Sequence, residues 1–354
     1  MTSDATPLSG SAKLKAALIV ASFALLAAWG AYYLLAYQQY DEHDSFVYDP
    51  SPTLGDVVTV DASVQGAAVK VIFTNDEEAP LVHVDFHRSY NTLSNLKKDY
   101  HVTWNNETAW LKCNVTSAGT EWALGYDSSQ LTISLREGAL YDVIIRTTTG
   151  KAEVRLESAG ARLRNAFLSS SSGTLKVVVY HGGTVQGDLK FETDRGDIFL
   201  RVEDSFVLGD TTVTTNGSLV SVTLSNATLG GTFNVNATTG RIALTLEDLV
   251  VLGAKDWEMN AETGSISVDF SQMVVPGGNL TLTLDSSSTT VLFSGNPDVV
   301  GVEFNGIPSD ADVSLTGSFQ EEATSVKSTN FPSVDWVLSF EFVGENVVVR
   351  ASLA

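Results

Sequence analysis

The sequence predicts an all-β fold, a β-solenoid of stacked rungs of about 23 residues that follows one N-terminal transmembrane helix. Two observations carry this prediction: one long uncharged apolar stretch near the N-terminus, and strand-like segments that recur at nearly constant spacing beyond residue 140. The chain has 354 residues, 44% of them hydrophobic, which is enough to bury a sizeable core. An antiparallel β-sandwich is the alternative, because its strands show the same local alternation. The constant spacing favours the solenoid.

Charge and cysteine content exclude several classes of protein. The chain has 42 Asp and Glu against 21 Lys and Arg, a formal net charge of −21, so it lacks the basic footprint that binding to a nucleic acid backbone needs. Cys113 is the only cysteine, which excludes a disulfide within the chain, and no set of Cys and His has zinc spacing. We therefore expect no nucleic acid partner and no cofactor.

Residues 16–37 form an uncharged apolar stretch of 22 residues, and at about 1.5 Å per residue such a helix spans the apolar core of a bilayer. Lys13 and Lys15 precede it, whereas acidic residues follow it at 41, 42 and 44. Because positive charge stays on the cytoplasmic side, we expect residues 1–15 in the cytoplasm and the C-terminal part outside, in a single-pass protein of the cell membrane. A signal peptide is the alternative, but cleavage after Gly30 would leave an apolar new N-terminus.

Two segments separate this stretch from the regular repeats. Residues 38–53 combine the acidic run with Pro50 and Pro52 and are interpreted as a stalk. Residues 54–140 contain alternating stretches, such as Val102–Leu111, without constant spacing. We expect them to form a β-rich cap or irregular rungs, because an uncovered end strand invites pairing with another chain.

The regular repeats occupy residues 141–294. Their turns are marked by glycines 23, 23, 21, 23 and 24 residues apart, namely Gly150, Gly173, Gly196, Gly217, Gly240 and Gly264. Apolar residues follow most of these glycines at positions +2, +4 and +6, which is the period of a strand with one buried face. The Gly217 unit needs one additional residue, which predicts a β-bulge. Residues 295–354 are expected to form terminal rungs and a cap.

A family resemblance rests on the run from Tyr141 to Gly150, on its recurrences, and on the terminal unit over residues 328–349. These segments resemble the putative-adhesin β-strand-repeat family, a domain of unknown function in membrane-anchored or secreted proteins of bacteria and archaea. The resemblance covers roughly residues 55–350. It implies a non-enzymatic surface domain for adhesion or envelope sensing, and it supplies no catalytic residue. As a partner we expect a glycan or a surface protein.

His83, Asp85 and His87 are the candidate metal ligands. They alternate along an apparent strand, so all three would point to one face and could offer two imidazoles and a carboxylate. The simpler interpretation is that the apolar residues at 82, 84 and 86 take the buried face and leave the polar side chains in solvent. Since no fourth ligand is predictable, we predict no metal site.

Two short motifs have the local sequence of functional sites. Arg195-Gly196-Asp197 is a tripeptide recognised by integrin-type receptors, but Gly196 is also the expected turn glycine of its rung. The serines over residues 169–172 lie beside Gly173 without the strand-to-helix elbow of a serine hydrolase. Both motifs are interpreted as turns, and no catalytic residue is assigned.

Six N-x-S/T sequons could carry glycans on an exported domain. They lie at Asn106, Asn114, Asn216, Asn226, Asn236 and Asn279. The three between residues 216 and 236 fall in or beside predicted turns, where a glycan could be accommodated.

The predicted function is that of a membrane-anchored, non-enzymatic adhesin-like or scaffold protein. Two alternatives stay open. The first is a pilin-like subunit, because Lys15-Ala16 before an apolar run resembles the cleavage site of archaeal pilin precursors, and processing after Ala16 would free the helix for a filament. The second is a glycan-active β-helix enzyme, which needs acidic residues converging on one groove.

Overall fold

In a computed structural model the protein is all-β apart from one N-terminal apolar helix, as predicted. The structure describes residues 10–49, 57–91, 95–120, 127–274, 277–330, 334 and 336–353. The helix is α1 (Gly10–Tyr37). The strands up to the first regular repeat are β1 (Gln39–Tyr48), β2 (Val57–Gln65), β3 (Ala68–Thr74), β4 (Val82–Asn91), β5 (Asn95–Asn105), β6 (Trp110–Thr120), β7 (Asp127–Arg136), β8 (Leu140–Thr147) and β9 (Ala152–Leu156).

The remaining strands complete the repeats and the C-terminal end. The repeats continue with β10 (Arg162–Ser170), β11 (Leu175–Val179), β12 (Thr184–Val185), β13 (Leu189–Thr193), β14 (Ile198–Glu203), β15 (Phe206–Val207), β16 (Thr211–Thr215), β17 (Leu219–Ser225), β18 (Thr228–Leu229), β19 (Phe233–Ala237), β20 (Arg241–Glu247), β21 (Val250–Val251), β22 (Lys255–Gln272) and β23 (Leu280–Gly295). The end consists of β24 (Gly301–Asn305), β25 (Asp312–Thr316), β26 (Phe319–Glu321), β27 (Ser325–Ser328), β28 (Val337–Phe342) and β29 (Val347–Leu353).

Helix α1 is apolar on every side. It is rich in Ala and Leu, which favour helix, and residues 17–34 form a span long and apolar enough to cross a membrane. None of that span is buried against the rest of the described protein. A membrane anchor and an N-terminal signal sequence both have these properties.

Residues 39–48 do not form the predicted stalk. They form β1, which pairs with β4 in antiparallel register along its whole length. The acidic run concealed this strand in the sequence, because Glu42 lies at a position that an apolar residue would be expected to fill. In the structure Glu42 Oε1 instead accepts a hydrogen bond of 3.0 Å from the Tyr90 hydroxyl of β4.

The regular repeats stack through parallel ladders. In the first ladder β8, β10, β13, β16, β19, β22 and β23 pair in that order. In the second, β9, β11, β14, β17, β20, β22 and β23 do so, and a short third ladder joins β10, β12, β15, β18 and β21. Because these neighbours are parallel, the antiparallel sandwich is wrong for this part of the chain. The described strands belong to one barrel-like sheet around a continuous core.

Each ladder arranges equivalent apolar side chains in columns. Val177 pairs with Leu200, Leu200 with Val222, and Val222 with Leu244, and all four are at most 3% exposed. Burial of apolar area stabilises by about 25 cal/mol per Å². Since each column runs from repeat to repeat, a single repeat could not bury its apolar face alone.

The turn glycines form a column because the turns approach one another closely. An ideal Cβ at Gly173 would lie 1.9 Å from the carbonyl oxygen of Gly150, and one at Gly196 would lie 1.8 Å from that of Gly173. A buried hydroxyl three residues earlier caps the turn, as where the Gly196 N–H donates to Thr193 Oγ1 at 2.8 Å. Ser170 caps the Gly173 N–H in the same way at 2.7 Å, whereas alanine stands at this position before Gly240 and Gly264.

The β-bulge predicted at Gly217 is wrong. Strand β17 pairs with β14 and with β20 without a shift of register, and every partner lies 22 residues away on both sides. Ser218 rather than Gly217 occupies the turn column, since an ideal Cβ at Gly240 would lie 2.1 Å from the Ser218 carbonyl oxygen. The repeat is regular, and its glycine simply precedes the column position by one residue.

At both ends the stacking order departs from the chain order. Strand β2 lies between β8 and β6, and β3 lies between β9 and β7. At the other end β28 lies between β23 and β24, and β29 lies between β23 and β25. Antiparallel strands complete the ends, because β4 pairs with β7, β5 with β6, and β27 with both β24 and β26. Residues 54–140 thus contribute stacked strands as well as edge strands.

Candidate functional site

The candidate site lies at the tip of the β5–β6 hairpin. The paired strands end with Asn105 opposite Trp110, so residues 106–109 make the connection. Asn105 Oδ1 accepts hydrogen bonds from the backbone N–H groups of Glu107 at 2.9 Å and Thr108 at 3.4 Å. Asparagine suits this position because its short carboxamide mimics the backbone of a turn.

Trp104 is held in place beside this turn. Its ring stacks on that of Tyr48 from β1, with centroids 3.7 Å apart and planes inclined by 28°. Its indole N–H donates to Asn106 Oδ1 at 2.8 Å, and the Tyr48 hydroxyl donates to the same oxygen. A tryptophan fixed by both its ring and its N–H holds the hairpin turn against β1.

A groove of about 340 Å³ opens on this hairpin. Such a volume lies at the lower end of the range for small-molecule sites. Trp110 is 42% exposed and is one of its walls. The described residues that line it are Thr103, Trp104, Asn105, Thr108, Trp110 and Lys112. The groove therefore combines the exposed Trp110 indole with a rim of hydroxyl, amide and ammonium groups, whereas the Trp104 ring packs toward the core on the other face of the hairpin.

Among the described residues that line the groove, Lys112 is the charged one. Its strand partners are Thr103 on β5 and Asp61 on β2. Asp61 is already bound by Arg146, whose Nη1 lies 2.6 Å from its Oδ1. The Lys112 side chain is exposed, so in a protein of net charge −21 it places a positive charge at the groove.

Cys113 follows Lys112 on β6 but belongs to the core. It is fully buried, and burial raises the pKa of its thiol to about 12. The thiolate is the reactive form of cysteine, so this residue is inert near neutral pH. It supplies packing and no chemistry to the groove.

The candidate metal ligands are not brought together. His83, Asp85 and His87 alternate on β4 with the fully buried residues 82, 84 and 86. Strand β1 supplies their neighbours instead: His43 Nε2 lies 2.6 Å from Asp85 Oδ1, and His87 Nε2 lies 4.0 Å from Asp41 Oδ1. Within the part of the chain that the structure describes, no group of three or more His, Cys, Asp or Glu side chains could hold a metal ion.

The sequon asparagines occupy different kinds of position. Asn106 is exposed in the hairpin turn, where its carboxamide oxygen serves the two aromatic donors. Asn216 and Asn226 lie at turns of the stack. Their Nδ2 groups donate to aspartates of the preceding repeat, Asp194 at 3.4 Å and Asp204 at 2.6 Å.

The other three sequons lie in or beside strands. Asn114 is within β6, and Asn236 is within β19. Asn279 precedes β23, and its Oδ1 accepts a hydrogen bond of 2.9 Å from the Val337 N–H, which fastens the interposed strand β28. Asn236 and Asn279 are exposed as Asn106 is, and Asn114 is half-buried, so the turn geometry is what favours Asn106 over these three as an acceptor of a glycan.

The tripeptide Arg195-Gly196-Asp197 is a regular turn of the stack. Arg195 is exposed, Gly196 is buried in the glycine column, and Asp197 Oδ1 accepts the Leu219 N–H at 3.1 Å. The serine run is a turn as well, because Ser170 Oγ accepts the N–H of the turn glycine that follows it, at 2.7 Å. Both motifs have structural roles.

Sequence reasoning missed the groove. Residues 102–111 alternate like a single strand, which concealed the turn in their middle. The available signal was the Asn-Asn-Glu-Thr run flanked by Trp104 and Trp110, since asparagine-rich turns between aromatic residues are typical of a hairpin tip.

Comparisons with known proteins show little similarity in sequence or in superposed structure. No family model and no curated protein sequence matches the chain. Among solved structures, a putative cell adhesion protein from Clostridium sporogenes is 10% identical, with 89% of this chain and 100% of that chain covered and a TM-score of 0.24. A putative adhesin from Parabacteroides merdae is 12% identical, with 89% and 96% covered and a TM-score of 0.35. Superpositions at these TM-scores do not establish a shared fold.

Proposed function

We propose that the protein is a single-pass, membrane-anchored surface protein with an adhesin-like or scaffold role. One observation carries the anchoring: the apolar span over residues 17–34 has none of its surface buried by the described protein. An uncovered apolar helix is unfavourable in water, whereas a bilayer covers it. Because β1 begins two residues after α1 ends, the sheet would stand close to the membrane surface.

The charge distribution supports an orientation with the sheet outside the cell. Lys13 and Lys15 precede the span, and the acidic residues of β1 follow it. The strongly acidic remainder repels anionic headgroups, so the sheet is expected to project away from the bilayer.

We further propose that the regular repeats form a β-solenoid. Parallel partners one repeat apart, columns of equivalent apolar side chains and the glycine column support this architecture. Each repeat then adds about 4.8 Å to the length of the stack. Such a shape carries the C-terminal end of the stack away from the membrane, and small-angle scattering of the detergent-solubilised protein should show an elongated particle.

The lining of the groove supports binding over catalysis. It offers Lys112 as its titratable group, whereas enzymatic glycoside hydrolysis uses a pair of carboxylates. Glu153, a buried acid of the stack, forms ion pairs with Lys151 at 2.7 Å and Arg155 at 2.8 Å. These contacts support a structural role for its carboxylate. Turnover of a glycan by the intact protein would favour the glycan-active enzyme instead.

Thiol labelling of intact cells tests the topology. Ser171 is exposed at a turn and Cys113 is buried, so an impermeant thiol reagent should label Ser171→Cys cells and leave the wild type unlabelled. Ser9→Cys is the matched control, because it lies in the predicted cytoplasmic segment and should react only after lysis. Labelling of Ser9→Cys in intact cells, or protection of Ser171→Cys, would refute the orientation.

Intact mass and attachment assays test the remaining alternatives. An unprocessed N-terminus supports the anchor, loss of residues 1–16 supports the pilin-like subunit, and cleavage after Gly30 supports a signal peptide. Cells that display the full chain should attach to glycan-coated or protein-coated surfaces more than cells that lack it. If both kinds of cell attached equally well, the adhesin-like role would be contradicted and the scaffold role would be favoured.

A further inference from the structure

From the geometry of the β5–β6 groove we infer that it binds a short pyranose glycan that carries a carboxylate. The inference rests on the proposed function because the hairpin must face the outside of the cell. It goes further by naming the site, the class of ligand and the side chains that distinguish one sugar from another.

The Trp110 wall favours a ring with an apolar face. A pyranose has C–H bonds directed to one face and hydroxyl groups around its edge, so the ring can lie flat on an indole. Trp110 is exposed on the face of the hairpin that carries Thr103 and Lys112, whereas the Trp104 ring lies on the opposite face against Tyr48. A tryptophan has two side-chain torsions to order on binding, so the entropic cost of forming the complex is small.

The rim favours a ligand with many hydroxyl groups. Thr103 and Thr108 present hydroxyls that donate and accept, and both are exposed. Asn105 Oδ1 is occupied by the turn, so the part of its carboxamide that remains for a ligand is the Nδ2 donor. A proline-rich peptide would stack on the Trp110 indole but would leave these rim groups without partners, which costs affinity.

Lys112 sets the charge preference. Its carboxylate neighbour Asp61 is bound to Arg146 at 2.6 Å, so the ammonium group can form its ion pair with a ligand. The acidic surface of the whole chain opposes long polyanions. One carboxylate on a short glycan satisfies both conditions, as in an oligosaccharide that ends in a uronic acid.

A glycan attached to Asn106 would bring the same chemistry to the groove from the chain itself. Asn106 belongs to the sequon Asn-Glu-Thr, and its oxygen is the acceptor for the Trp104 indole. The variant Asn106→Asp distinguishes a free glycan from one attached to the chain. The aspartate keeps an oxygen acceptor for Trp104 and Tyr48, but it lacks the amide to which a glycan is attached.

The test measures binding of the full-length protein in detergent micelles to two matched oligosaccharides, one neutral and one ending in a uronic acid. The wild type and Asn106→Asp should both bind, with the acidic sugar preferred. Trp110→Ala should weaken both sugars at least about tenfold, as truncation of a central aromatic contact does. Lys112→Gln should remove the preference for the acidic sugar and leave the neutral one unchanged. Phe206→Ala is the control, since this residue is 41% exposed on a distant repeat.

Several results would overturn the inference. These are failure of the wild type to bind either sugar, undiminished binding by Trp110→Ala, and displacement of the sugar by a proline-rich peptide that binds more tightly. Binding by Asn106→Asp alone would assign the groove to the chain's own glycan and refute a free ligand. The thiol-labelling result does not depend on any of these measurements, so failure of this inference and failure of the proposed topology are distinguishable.

Discussion

The middle of the stack and its two ends differ in how their strands find partners. From β8 to β23 the chain order and the stacking order agree, so each strand pairs with its equivalents one repeat earlier and one repeat later. At the ends the order is interrupted. Strands β2 and β3, and likewise β28 and β29, lie one layer inside strands that are closer to the middle of the sequence.

The difference shows that the ends are secured by connectivity as well as by packing. A terminal repeat stacked in chain order could separate from the sheet without disturbing any other strand. An interposed strand has ladder hydrogen bonds on both sides, so it cannot leave unless the outer layer leaves too. The outer layer is then completed by antiparallel strands, which reduces the exposed parallel edge that could pair with another chain.

The largest effect is expected for a charge placed in the middle of the stack. Leu200 is 2% exposed in its column, so Leu200→Asp would bury an unpaired carboxylate and remove apolar contacts. We expect the free energy of unfolding to fall by about 4 kcal/mol or more. Leu208→Asp is the control, because Leu208 is 38% exposed, and it should cost less than about 1 kcal/mol. Equal unfolding midpoints in urea for the two variants would contradict the register of the columns.

The second effect concerns the glycine column. Gly196→Ala would place a Cβ 1.8 Å from the Gly173 carbonyl oxygen and force two turns apart, with an expected cost of about 2–4 kcal/mol. Gly217 is the matched control, because it is also a turn glycine but lies outside the column. Its Cβ would meet only the side chain of Thr239, at 2.5 Å from Oγ1, so Gly217→Ala should cost less than about 1 kcal/mol. Thermal unfolding compares the two, and a larger loss for Gly217→Ala would restore it as the turn glycine of its repeat.

These two pairs of variants show what could be predicted from sequence. Leu200 was assigned to the core because apolar residues alternate with period two after a turn glycine, and this signal is local. The displaced turn at Ser218 was missed because a glycine one residue earlier resembles the repeat. The order of strands at the ends could not be predicted, since alternation indicates which face is buried and not which strand lies beside it. The groove depends on Tyr48 meeting Trp104 across 56 residues, which no local pattern reveals.

The third prediction tests the junction between the middle and the N-terminal end. Glu153 on β9 pairs with Lys70 on β3 and with Lys176 on β11. Burial alone would raise its pKa, but hydrogen bonds from Lys151 and Arg155 outweigh burial and lower the pKa from 4.5 to about 2. The charged form is therefore favoured in the folded protein. Its stabilisation is present above pH 4.5 and is lost as the pH falls through about 2.

The corresponding experiment measures urea unfolding of Glu153→Gln across this pH window. The variant should be less stable than the wild type by about 1–3 kcal/mol at pH 7, and the two should converge as the pH approaches 2. Glu157→Gln is the control, because the Glu157 side chain is exposed and its ion pair, with Arg155 at 3.0 Å, lies in solvent. A difference for Glu153→Gln that does not change with pH would show that packing rather than charge holds this junction.

The fourth prediction concerns the order of opening at the C-terminal end. Strands β28 and β29 are nearest the chain terminus, yet they lie inside β24 and β25. Their backbone amides should therefore exchange hydrogen at least about tenfold more slowly than those of β24 and β25. Hydrogen exchange of the intact protein, followed by mass spectrometry, measures this directly. Faster exchange at residues 337–353 than at residues 301–316 would indicate that the terminus peels away first.

The smallest effect on stability is expected at the tripeptide turn. A structural role predicts that Asp197 matters more than Arg195, whereas a receptor-binding role predicts that both matter. Arg195 is exposed, whereas Asp197 Oδ1 accepts the Leu219 N–H at 3.1 Å and links two repeats. Arg195→Ala should change the free energy of unfolding by less than about 0.5 kcal/mol and leave attachment of cells unchanged. Asp197→Ala should cost about 1 kcal/mol, because it leaves that N–H without its acceptor. If the tripeptide were a receptor ligand, both variants would abolish attachment equally, whatever their stability. A folded Arg195→Ala protein that no longer supports attachment would therefore move the binding site from the hairpin groove to the repeat stack.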